Sequence, residues 1–147
     1  MGGFATTLKR RLRRLVHRVG RRGTTLLFLS LVDITVALGL FTIDDYGPSV
    51  ARYYAGMALL LPLHTWGYVW LATAGLLGVQ AFMRNDRVAF AVAALIKQLW
   101  ACGYLATWLY FGVDRAWISA VIYLAFSFFV LMISGWRENY LPRSEEL

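Results

Sequence analysis

A chain of 147 residues that is 59% hydrophobic, with a mean hydropathy of +0.56, is too apolar for a water-soluble single domain and too short to hold one beside its apolar stretches. A formal net charge of +7 would in a soluble protein point to nucleic acid; here the cations sit outside the apolar runs, so position matters more than sum, and no nucleic-acid partner is expected. One cysteine excludes an internal disulfide and any multi-cysteine metal site.

In chain order, residues 4–19 read as a basic amphipathic helix. Phe4, Leu8, Leu12, Leu15, Val16 and Val19 recur at three- and four-residue steps, with cations on the remaining faces. Such a helix lies in the headgroup layer of a bilayer with anionic lipids. Lys9, Arg10, Arg11, Arg13, Arg14, Arg18, Arg21 and Arg22 are its headgroup contacts, each contributing about 1 kcal/mol. The plainer reading of the same segment is that it only fixes topology. Gly20 and Gly23 flank Arg21–Arg22 and read as a hinge.

Four apolar stretches follow, Thr24–Ile43, Thr65–Met83, Val88–Tyr110 and Trp117–Gly135. Each approaches the roughly 20 residues that cross a bilayer core. The expectation is an all-α, polytopic membrane protein: residues 1–23 as the basic segment, 24–136 as a four-helix transmembrane domain and 137–147 as a tail. The first stretch lacks a small-residue cleavage site and reads as an uncleaved anchor. Asp44-Asp45-Tyr46-Gly47-Pro48 is a turn, and Ser49–Leu61 reads as a short surface helix capped by Ser49, with Pro62 starting the second span. Asn85 or Asp86 is the expected cap of the third span and Asp114 of the fourth. Trp66, Trp108, Trp117 and Trp136 fall near span ends, where aromatic belts form, while Trp70 and Trp100 lie deeper and pack.

Sorted by loop, the fifteen Lys and Arg residues leave only Arg52 and Arg115 on one side and Lys97 within a span. The positive-inside rule then puts both termini in the cytoplasm.

Two charges sit at membrane depth. Asp33 and Lys97 each lie nine residues into a span running in the same direction, about 13 Å from one face, so opposite signs at matching depth predict an ion pair with Gln98 nearby. The pair reads either as a clamp between helices or as the lining of a polar path. His64 reads as an interfacial imidazole and Cys102 as an inert packing residue. Ala74-xxx-Gly78, Ala89-xxx-Ala93 and Ala116-xxx-Ala120 have the spacing that allows close helix approach or self-association into a homo-oligomer. No catalytic constellation, metal set or cofactor motif is legible, so no enzyme is expected.

The run Gly78-Val79-Gln80-Ala81-Phe82-Met83-Arg84-Asn85-Asp86-Arg87-Val88-Ala89-Phe90-Ala91, Leu95-Ile96-Lys97, and Val113-Asp114-Arg115 with Ser119–Phe126 and Gly135-Trp136 resemble segments of small four-span membrane proteins of actinobacterial phages. Some of these are considered holin-like. The resemblance implies a phage origin, a host inner membrane and a holin-like protein that oligomerises and permeabilises that membrane. A non-lytic interaction protein, serving superinfection exclusion or as a scaffold, is the alternative. A small ion or proton transporter is the third reading, weakened by the lack of any further intramembrane carboxylate or histidine for a relay.

Overall fold

In the computed structural model, residues 3–43, 47–83 and 85–135 are described, with side chains from Gly20 onward. The described residues form helices α1 (Gly3–Phe41), α2 (Pro48–Tyr53), α3 (Ala55–Ala58), α4 (Leu63–Gln80), α5 (Arg87–Phe111) and α6 (Ala116–Ser134).

Helix α1 is two helices meeting at Gly20, whose φ of 57° and ψ of −175° break the helical path. That left-handed φ is cheap only for glycine, which is why the change of direction falls there. Gly23 is helical and buried, so the hinge is Gly20 alone. The helix before it carries the basic residues from Lys9 to Arg18; their side chains, and with them the amphipathic stripe, lie outside the described residues. Asp44, Asp45, Arg84 and Trp136 are outside them as well.

Among the described residues, three helices are long and apolar enough to cross a membrane: Gly20–Phe41, Arg87–Phe111 and Ala116–Ser134. At 1.5 Å per residue they measure about 33, 37 and 28 Å, against a hydrocarbon core of about 30 Å. Helix α4 has 18 residues and is not among the three, because His64, Thr65, Thr73 and Gln80 dilute its apolar content.

The long helices pair as two antiparallel hairpins. Within the first, α4 runs back along α1: Ser30 Oγ donates to the Ala74 carbonyl at 2.8 Å, Phe41 meets Tyr68 edge-on at 4.9 Å, and Leu26 and Leu29 pack with Leu77 and Ala81. Within the second, Ser127 Oγ donates to the Ala94 carbonyl at 3.0 Å, and Ala89, Ala93 and Ala94 pack with Val130 and Ile133. All three small-xxx-small pairs lie along these helices, and Ala74, Ala89, Ala93, Ala116 and Ala120 are buried. Small side chains let the backbones approach closely, which replaces the hydrophobic driving force that lipid cannot supply.

The segment between the first two long helices is broken, not one helix. Pro48 is the first residue of α2 and Gly47, with φ of 83°, is its N-cap, so Ser49 lies inside the helix and does not cap it. The path breaks again at Tyr54, and α3 then drops onto the second hairpin. There the Gly56 N–H donates to Thr107 Oγ1 at 2.9 Å and Met57 is fully buried beside Gly103. A Cβ at Gly56 would collide with the Gly103 carbonyl. This segment is a strap from the first hairpin across the second.

Among the other end features some match expectation and some differ. Trp66 is buried and donates its Nε1 to the Met57 carbonyl at 3.1 Å, holding the strap instead of standing in a lipid belt. Trp108 and Trp117 are exposed, 41% and 48%, as belt residues are. Asp86 occupies the N-cap of α5 as expected but its carboxylate makes no capping bond, and Gln80 Oε1 accepts from the Ala89 N–H at 2.9 Å instead. The α6 cap position is Arg115, not Asp114. Cys102 is exposed on the α5–α6 face, which corrects its reading as a packing residue.

Candidate functional site: a charge pair between two hairpins

Asp33 stands on α1 and Lys97 on α5, the two helices that run parallel, one from each hairpin. Lys97 Nζ donates to Asp33 Oδ1 at 2.8 Å, and the side chains are 1% and 0% exposed. Either charge alone in a bilayer would cost about 3 kcal/mol on insertion scales. Together they present a compact dipole, and the ammonium gains two ring faces, Trp70 at 5.0 Å and Phe126 at 5.5 Å. Asp33 Oδ2 has no hydrogen-bond partner, so Gln98 does not complete the carboxylate.

A second rung joins the same two helices. Arg22 grips Asp86 through two bonds of 2.8 Å, Nε to Oδ2 and Nη2 to Oδ1, and its guanidinium lies 5.1 Å from the Phe90 ring centroid. The two rungs share one sequence separation, 64 residues. Along each helix they are therefore eleven residues apart, three turns of helix or about 17 Å on one face. The polarity reverses between rungs: cation on α1 and carboxylate on α5 at the first, the opposite at the second. Equal spacing with reversed sign is a signal that the sequence carries and that the reading of single spans misses. Arg22 is thus engaged within the protein, whereas Arg21 is exposed.

Above the pair, toward the strap, the space between hairpins is filled by aromatic rings. Trp100 is the centre, 5.4 Å from Trp70, 5.9 Å from Tyr54, Tyr104 and Tyr123, and 6.0 Å from Trp66. These rings hold the backbones apart, and close approach between hairpins is correspondingly sparse outside the strap. The Tyr53 hydroxyl reaches across to Ser119 Oγ at 2.8 Å and Arg52 to the Phe111 carbonyl at 3.1 Å. His64 is exposed at the start of α4.

The site thus contains one carboxylate, one ammonium and a wall of rings. Among the described residues no group of three or more His, Cys, Asp or Glu side chains is placed to hold a metal ion. No family model, curated protein or solved structure matches the chain.

Proposed function

We propose that this is a holin-like protein of a bacterial inner membrane, which assembles laterally and permeabilises the bilayer. In this reading α4 is the fourth crossing, both termini are cytoplasmic, and the basic helix before Gly20 rests on anionic headgroups. The observation that carries it is the seam between the hairpins. An ion pair at mid-depth and a column of rings span that seam with little close backbone packing, so two internally tight hairpins can part there. Parting would turn Asp33 and Lys97 from a sealed dipole into the lining of a polar path between assembled copies. The wide apolar outer faces of α1 and α6, with Leu31, Leu38, Ile122 and Phe128 exposed, suit lateral association in lipid. The resemblance to small phage membrane proteins agrees with this reading.

Induced expression in a bacterial host, with membrane potential followed by a fluorescent dye, tests it. Potential should collapse once the protein has accumulated in the membrane fraction. Abundant, inserted protein with potential intact would overturn the proposal. A double Asp33→Asn/Lys97→Met protein should insert but leave the potential standing.

A non-lytic interaction protein is the second reading, favoured by the exposed run Leu59-Leu60-Leu61 beside the strap. It predicts intact potential, and loss of its effect when these leucines become serine.

A further inference from the structure

The second hairpin carries a groove of about 370 Å³ between α5 and α6, lined by apolar side chains. Ala101 and Ala120, both nearly inaccessible, form its floor, and Cys102 and Leu124 stand at its inner end. Trp108 and Trp117 flank its mouth, because α5 ends and α6 begins at the strap end of the bundle. Cys102 is nine residues from Phe111, so the groove reaches about 14 Å in from the end of α5.

A second observation lies just beyond the mouth. Arg52 and Arg115 are the two cations of this side, and the strap brings both to the loop between α5 and α6. Arg52 Nη2 donates to the Phe111 carbonyl at 3.1 Å, and the hydroxyl of the next residue, Tyr53, donates to the Arg115 carbonyl at 3.2 Å. Both arginines are exposed. Asp114 is exposed in the same loop, and one carboxylate against two guanidiniums leaves the corner positive. Trp108 and Trp117 mark headgroup depth, as belt residues do, so cations just beyond them stand where lipid phosphates lie.

We infer that the groove seats an anionic phospholipid, with one acyl chain between α5 and α6 and the phosphate held by Arg52 and Arg115. An apolar trough bordered at headgroup depth by two cations matches both ends of such a lipid. A zwitterionic lipid fits the trough equally well but brings a cation of its own to a positive corner. The guanidinium fork pairs with phosphate oxygens, and the bond to Phe111 leaves Arg52 with further donors. A phosphate held by both arginines clasps the strap to the second hairpin. The inference rests on the chain being embedded in a bilayer and not on permeabilisation.

The test is photocrosslinking in phosphatidylcholine nanodiscs that contain a trace of phosphatidylglycerol or phosphatidylcholine with a diazirine in mid-chain. Crosslinks are mapped by peptide mass spectrometry, and the yield at residues 101–108 and 117–124 is divided by the yield around the exposed Leu38 of α1. The ratio should be about tenfold higher for phosphatidylglycerol, since each cation near the headgroups adds to the attraction. Arg52→Gln/Arg115→Gln should abolish that excess. Arg115→Gln alone, which removes no side-chain bond, should reduce it if the double variant loses helix content by circular dichroism. Val121→Phe, at an exposed position of the groove wall, should lower the yield of both lipids there. Equal ratios for the two lipids, or an excess that survives loss of the arginines, would overturn the headgroup site. Unchanged yields in Val121→Phe would overturn the seat of the chain. Oxidation that joins most copies through Cys102 would overturn it as well, because a second copy would then fill the groove. None of these outcomes depends on depolarisation, so the two readings fail separately.

Discussion

The seams inside the hairpins and the seam between them use opposite means of packing. Inside, Ser30 against Ala74 and Gly78, and Ala94 against Ser127, bring backbones close, and attraction is spread over many small contacts. Between, Trp70 meets Trp100 and Tyr123 edge-on, and attraction is concentrated in rings and two charged rungs. A distributed seam loses little with any one residue. A concentrated seam depends on a few side chains, and it is where a bundle separates when conditions change.

The largest test of that difference is at the deeper rung. Asp33→Asn or Lys97→Met alone leaves a buried charge without its partner, which typically costs about 3–5 kcal/mol, whereas replacing both is often nearly neutral. Reversible unfolding in mixed micelles should show this loss in each single variant and recovery in the double. If the losses simply add, the rung is not a pair, and the contrast between the seams fails. Recovered stability without recovered depolarisation would assign the pair to the polar path; recovery of both would leave it a clamp.

Next comes the strap, where the Gly56 backbone lies directly against the Gly103 carbonyl of α5. Gly56→Ala drives a methyl group against the Gly103 carbonyl and Thr107, neither of which can swing away. Overpacking of this kind costs about 1–3 kcal/mol. We expect a lower unfolding midpoint together with faster depolarisation on induction, because the strap closes the seam at that end. Slower depolarisation would mean that the strap drives opening instead of restraining it.

The shallower rung should matter less. Arg22 and Asp86 keep 18% and 15% of their side-chain surface exposed, so water and salt screen them. Removing Arg22 should cost about 1 kcal/mol or less, with the loss shrinking as salt rises. The Asp33–Lys97 cycle should be indifferent to salt. Equal salt response at both rungs would show that water surrounds the deeper pair, contrary to its burial.

Helix positions were readable because apolar runs of 18 residues or more have few other fates, and the ends of α5 and α6 fall within a residue of the expected spans. Asp33 and Lys97 were readable because opposite charges at one depth have few partners to choose from. The lateral arrangement was not readable. Trp66 has the position of a belt residue and is recruited inward by the strap, since its indole N–H finds the Met57 carbonyl. The strap itself depends on two glycines, Gly56 and Gly103, whose contact spans 47 residues of sequence that no local pattern links. The crossing of α4 is undecided by composition because its polar atoms are partly used against neighbours: Thr73 bonds the Val69 carbonyl and Gln80 the Ala89 N–H.

The smallest effect is expected within the hairpins. Ser30→Ala and Ser127→Ala each remove one interhelical hydrogen bond, to the carbonyls of Ala74 and Ala94. Those carbonyls lie inside helices and keep their intrahelical N–H donors, so neither is orphaned by the change. Interhelical bonds of this kind in membranes contribute about 0.6 kcal/mol on average. The alanine that replaces each serine keeps the backbone spacing, which is what the seam depends on. Each single variant should therefore unfold within about 1 kcal/mol of the parent, and the pair of changes should add, since independent sites are additive. A loss from either serine as large as that from Asp33→Asn would show that the hairpin seams are concentrated too, and the place where this bundle parts would have to be sought elsewhere.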